Sequence, residues 1–263
     1  MKLNLFLHEI KRNKISLIVW SYAMAFMLGV CIIIYPEMQT QMGDISQMFS
    51  DMGAFSDAFG MDQLNFGEFM GYFGVECGNT LGIGGALLAG IVGITALSKE
   101  ERDGTAELLL TLPVSRRRIV TEKLAFSVFH VLIVNVAVWI VCLVGALAID
   151  VEADIGKMML IFLAFLLMQL EITAITFGIS AFLKNGGLGI GIGLSFGLYF
   201  VSILANLSDQ IEFIKYVTPF GYADSGYILE NGSLEPIALV IGILLSTAGI
   251  FLAYYQYERK DIA

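Results

Sequence analysis

Two carboxylates stand well inside apolar runs of the chain, Glu76 and Glu171, and each has an amide nearby: Asn79 one helical turn from Glu76, and Gln169 beside Glu171. A charge at the middle of a bilayer costs roughly 2.5 to 3.5 kcal/mol on insertion scales, so each must face protein or water, or carry a proton. Two readings stay open. The four residues line a transport path or a proton-linked switch, or they form buried hydrogen bonds that fix helix packing. Asn135, inside another apolar run, reads as packing, and His8 and His130 are too isolated to form a metal site. There is no Walker A pattern, no H-E-x-x-H spacing and no nucleophile with a base at a fixed interval. No catalytic centre, metal or cofactor is therefore expected in the chain, and any work it does must draw energy from a partner.

The elements that hold these residues follow from composition. Of 263 residues, 57% are hydrophobic and only 15% charged, too apolar for an ordinary soluble domain. Lipid is the expected solvent for most of the chain, and no nucleic-acid partner is expected. Cys31, Cys77 and Cys142 lie singly in apolar runs and read as small hydrophobes. The basic residues before the first apolar run resemble a signal peptide, but that run is too long and no small-x-small site follows, so it reads as a retained span.

In chain order, residues 1–14 show an apolar face (Leu3, Phe6, Leu7, Ile10) against Lys2, Glu9, Lys11 and Arg12, predicting a short helix in the headgroup plane that bends into the membrane. Residues 15–36 form the first span, about 33 Å long at roughly 1.5 Å per residue, with Pro36 at its exit. Residues 37–68 are acidic, contain no Lys or Arg, and predict short amphipathic helices on the outer surface. The remaining spans are expected at 69–97, 119–149, 157–182, 188–207 and 235–257. The second and fifth are glycine-rich, which permits close helix contact. The alternating glycines of the fifth follow no strand and do not make a nucleotide loop. Residues 208–234 contain two amphipathic pieces around Thr218-Pro219-Phe220-Gly221, each too short to cross, and predict a half-inserted outer hairpin.

Charge sets the orientation. Lys2, Lys11, Arg12, Lys14, Lys99, Arg102, Arg116, Arg117, Arg118, Lys123, Lys184, Arg259 and Lys260 fall on one side, and only Lys157 and Lys215 on the other. This asymmetry predicts cytoplasmic N- and C-termini.

The longest charged interruption, residues 98–118, carries the most internal order. Ser98 and Glu101 form a capping-box pattern that predicts a new helix start, and Gly104 loosens the chain. Leu108, Leu109, Leu110 and Leu112 then make an apolar peg that Pro113 ends. Ser115 caps the next helix, and Arg116, Arg117 and Arg118 are expected to anchor on phosphate headgroups. A solvated loop needs no leucine peg, whereas docking of a soluble partner does.

The in-plane helix, six spans, KEERDGTAELLLTLPVSRRRI, TPFGYADSGYIL and the YERKDI tail together resemble the ABC-2-type permeases of ATP-binding cassette exporters, over essentially the whole chain. The most specific part is ERDGTAELLLTLPVSR, similar to that family's coupling-helix region. The resemblance implies an all-α membrane protein of six transmembrane helices with an in-plane N-terminal helix, a cytoplasmic coupling helix and an extracellular re-entrant hairpin, like a type V ABC exporter. It implies a second permease beside it, identical or not, and a separate soluble ATPase that binds ATP and Mg. Glu100, Glu101, Arg102, Asp103, Gly104, Thr105, Leu108, Leu109, Leu110, Pro113 and Arg116 become the ATPase-facing or handle-shaping set. The expected function is export of a hydrophobic or amphiphilic cargo (peptide, lipid or drug) across the plasma membrane. The competing class is a non-transporting scaffold or sensor subunit that uses the same handle to hold a cytoplasmic protein.

Overall fold

The computed structural model describes residues 4–39, 64, 67–106, 113–151, 153–184, 186–207 and 209–260. Among them there is no strand. Six helices are long and apolar enough to cross a membrane: α1 (Asn4–Gln39), α2 (Phe69–Arg102), α3 (Arg116–Ala148), α4 (Ile155–Ser180), α5 (Leu188–Asn206) and α7 (Pro236–Arg259). A 3₁₀ segment, Asp209–Val217, and the short helix α6, Ser225–Asn231, lie between α5 and α7.

Local chemistry starts and stops these elements. Asp154 accepts the backbone N–H of Lys157 at 3.0 Å, Asp224 that of Tyr227 at 3.2 Å and Ser115 that of Arg118 at 3.4 Å, each satisfying an orphan donor of a first turn. Pro236 opens α7 at a position where its missing donor costs nothing.

Two expected boundaries are corrected. The first helix is continuous from Asn4 to Gln39, so residues 4–14 are its opening turns and not a separate in-plane helix, and Pro36 lies within it. The capping-box pattern at Ser98 starts nothing. Ser98 is buried inside α2, with its hydroxyl on the Ile94 carbonyl at 2.7 Å. The helix instead ends where Gly104 takes φ +67, with Gly104 N–H on Glu101 O (3.2 Å) and Thr105 N–H on Glu100 O (2.8 Å). That is a Schellman ending, with glycine at the one position that needs a left-handed backbone.

The centre of the bundle is α2 and α4, whose apolar windows are 67% and 61% buried, against 17% for α5 and 22% for α7. Three neighbouring pairs run parallel. Glu9 lies beside Lys123 and Ile32 beside Gly145 for α1 and α3. Gly85 lies against Gln169 and Gly93 against Thr176 for α2 and α4, and Gly242 against Glu171 and Gly249 against Ala174 for α4 and α7. A Cβ on Gly90 would sit 2.7 Å from Gly191 O and one on Gly191 2.7 Å from Gly90 O, so α2 and α5 touch backbone to backbone. Midway along, α2 widens into a π-helix over Gly78–Gly84.

Candidate functional site

At the end of the bundle where the first and last helices have their termini, α1, α2, α3 and α7 meet in a buried ionic network. Glu9, only 1% exposed, bridges two ammonium groups, Lys99 Nζ at 2.5 Å and Lys123 Nζ at 3.3 Å. Lys123, also 1% exposed, donates to Glu100 Oε1 at 2.6 Å and the Ala96 carbonyl at 2.8 Å. Asn13 donates to Glu9 Oε2 at 2.9 Å. Every ammonium here has a carboxylate, which is the condition for keeping such charges out of water: breaking a buried pair by removing one partner typically costs about 3–5 kcal/mol.

Around this centre, helix termini are tied to charges from other helices. Glu122 of α3 accepts the N–H groups of Leu5 (2.9 Å) and Phe6 (3.1 Å) in the first turn of α1, and pairs with Arg118 at 2.6 Å. A carboxylate at the positive end of a helix satisfies orphan donors and the dipole together. Arg116 does the converse at the far end of the chain, its NH1 donating to the carbonyls of Tyr257 (3.2 Å), Glu258 (3.2 Å) and Lys260 (2.6 Å) at the end of α7. Lys260 Nζ lies 2.5 Å from Glu101 Oε1 and donates to the Leu183 carbonyl at 2.5 Å, beyond α4.

From this platform the 103–115 segment, described at 103–106 and 113–115, emerges. Of its expected docking residues, Glu100, Glu101 and Arg116 turn inward to hold the stems, whereas Arg102, Asp103, Gly104, Thr105 and Pro113 are exposed. Arg12 of α1 reaches Asp103 at 2.6 Å and Glu100 at 3.6 Å. The hydrogen bond from Arg102, with Arg12 nearby, holds the Asp103 carboxyl below its ordinary range. Leu108, Leu109 and Leu110 lie outside the described residues, as does most of the acidic 37–68 stretch. The arginine triplet, expected at the headgroups, also makes contacts within the chain: Arg116 caps α7, the exposed Arg117 pairs with Glu258, and Arg118 pairs with Glu122.

The intramembrane residues do not converge. Glu76 is half-buried and accepts from Cys31 Sγ of α1 at 3.3 Å. Asn79, in the π segment, is exposed toward a cavity of about 110 Å³ shared with Ser202, Lys215 and Asp224. Gln169 is buried and pins three helices, taking Asn135 Nδ2 of α3 at 2.7 Å and giving Nε2 to the Leu81 carbonyl of the π segment at 3.2 Å. Glu171, two positions on and so on the opposite side of α4, instead accepts the Tyr222 hydroxyl at 2.7 Å and faces α7.

In the sequence Glu9 falls on a polar face, and no local pattern distinguishes Glu122, Tyr222 or Lys260. The available signal for the network was Lys123, a lysine within the opening turns of an apolar helix, which needs an acidic partner.

Six apolar helices with charge concentrated at one end define a multi-pass membrane protein without strands among its described residues. Comparison with protein-family models places residues 3–262 in the family described as ABC-2 family transporter protein. The chain belongs to that family and is thus the membrane permease component of an ABC transporter, which works with an ABC ATPase subunit. No curated protein matches the sequence.

Proposed function

We propose that the chain is the permease subunit of an exporter with the type V arrangement, moving a hydrophobic or amphiphilic cargo (a peptide, lipid or drug) out of the cytoplasm across the plasma membrane. ATP and Mg are bound by a separate soluble ATPase, which docks on the 98–118 segment. The observation that carries this reading is the rooting of that segment. Its exposed turn, Arg102 to Thr105, and Pro113 stand on stems fixed by Glu100–Lys123, Glu101–Lys260 and Arg116 on the end of α7. A push on the loop thus acts on α1, α2, α3 and α7 together, which a loop on free stems does not do. The thirteen-to-two distribution of Lys and Arg supports cytoplasmic termini and a cytoplasmic loop. The segment between α5 and α7 is then the outer re-entrant hairpin.

A second permease fits against α5. Gly189, Gly193 and Gly197 recur every fourth residue, are exposed, and would meet nothing within 4 Å among the described residues if given a Cβ. Spacing of this kind supports close packing of a further helix in lipid.

The test is co-purification from native membranes with identification of the bound ATPase, followed by ATP-dependent cargo movement in vesicles. Labelling of a cysteine at Thr105 by an impermeant reagent only from the cytoplasmic side is the expected topology. Labelling from outside intact cells contradicts it.

A further inference from the structure

Between α3, α4 and α7 a groove of about 250 Å³ opens sideways along the helices. Below it α4 and α7 close completely: a Cβ on Gly178 would lie 2.5 Å from Gly249 O and one on Gly249 2.6 Å from Ala174 O. Its walls are Leu124, Val128, Leu167 and Leu239, and its outer rim includes the exposed Ile243 and Thr247. Five polar side chains interrupt this hydrocarbon lining: Glu171, Thr173, Tyr222, Ser246 and Thr247. Glu171, 3% exposed, uses Oε2 for the Tyr222 hydroxyl and makes no other hydrogen bond among the described residues. Thr173, 1% exposed, has a buried Oγ1 with no hydrogen-bond partner among the described residues.

Among the described residues no Lys, Arg or His lines the groove. Elsewhere in this protein each buried carboxylate of the ionic network has a cation from the chain itself. Room for Glu171 is made by Gly242, where a Cβ would come within 2.3 Å of Oε2. A buried carboxylate at the floor of an apolar slot either carries a proton or takes a cationic donor, since an unmatched charge in such surroundings is costly. The volume falls just below the common range for small-molecule pockets, about 300–1,000 Å³, and fits one narrow chain better than a bulky body.

We propose that this groove binds a single-chain amphiphile carrying a primary ammonium, taken up sideways from the bilayer. The ammonium donates to Glu171, and the chain lies along Leu124, Val128 and Leu167. The site requires only that the permease spans a bilayer, so it stands apart from ATPase docking and is measured on the permease alone, without nucleotide.

The full chain in phosphatidylcholine nanodiscs is exposed to a sixteen-carbon primary alkylamine bearing a photoactivatable diazirine and, separately, to the matching alcohol. The expected result is labelling of peptides from α3, α4 and α7 around Glu171, about tenfold stronger for the amine, which corresponds to roughly 1.4 kcal/mol. Unlabelled hexadecylamine should suppress it and hexadecanol should not. Glu171→Gln, which keeps an acceptor for Tyr222, should reduce labelling about tenfold. Equal labelling by amine and alcohol, labelling spread over the whole lipid-facing surface, or full labelling of a folded Glu171→Gln protein overturns the proposal. Competition in the unaltered chain decides the matter even where a variant does not fold.

Discussion

Glu9 of α1 and Lys123 of α3, 114 positions apart in sequence, meet at 3.3 Å with each only 1% exposed. This contact is the centre of a knot that also takes in Lys99 and Glu100 of α2, the helix that leads into the 103–115 segment.

Because Lys123 answers two carboxylates in a buried place, Lys123→Met should destabilise the permease by about 3–5 kcal/mol. Thermal unfolding in detergent reads this directly. Arg117→Ala, which removes only the exposed pair with Glu258, should leave the unfolding temperature nearly unchanged.

Glu122→Gln keeps one acceptor for the first turn of α1 but loses the charge shared with Arg118 and with the Leu5 and Phe6 donors. A loss of about 1–2 kcal/mol is expected, with faster hydrogen exchange in the first turn of α1 and little change in α5. Unchanged exchange there would remove Glu122 as the cap.

The Asp103 carboxyl titrates below its ordinary 3.8 because Arg102, and then Arg12, favour its charged form. A lowered carboxylate pKa means that the link from Asp103 to Arg12 is fully present above the unfolded value and lost only as pH falls through the lowered one. Carboxyl NMR titration should place the midpoint below that of an unperturbed aspartate, and Arg102→Ala should move it upward. The link should therefore be constant from pH 5 to 8.

Glycines of α5 should separate into two kinds. Gly191→Leu collides with the Gly90 carbonyl and should cost about 1–3 kcal/mol or more in unfolding measurements. A Cβ on Gly193 would meet nothing within 4 Å among the described residues, so Gly193→Leu should leave monomer stability intact while weakening self-association seen by crosslinking.

Hydropathy made the six apolar helices legible, because lipid imposes a length and a composition that local sequence must carry. What it hid was everything set by distant partners. Glu9 sits among Lys and Arg near the start of the chain and reads as surface, yet its partner Lys123 arrives on another helix. Ser98 and Glu101 match a capping box, but Ser98 is inside a continuing helix and Glu101 turns to Lys260, so a local motif yielded to tertiary contact. Gln169 and Glu171 are close in sequence, and helical geometry sends one to Asn135 and the other to Tyr222. Arg116 reads as a headgroup anchor until the end of α7 is brought beside it.

The most direct test of the handle as the point where a motor grips is Leu109→Asp in the permease, with membrane level and fold checked, compared with the unaltered chain for ATPase retention and ATP-driven transport. The account predicts loss of the ATPase, or ATP hydrolysis that no longer drives transport, from a permease still present in the membrane. Full retention of the ATPase with undiminished transport would contradict it.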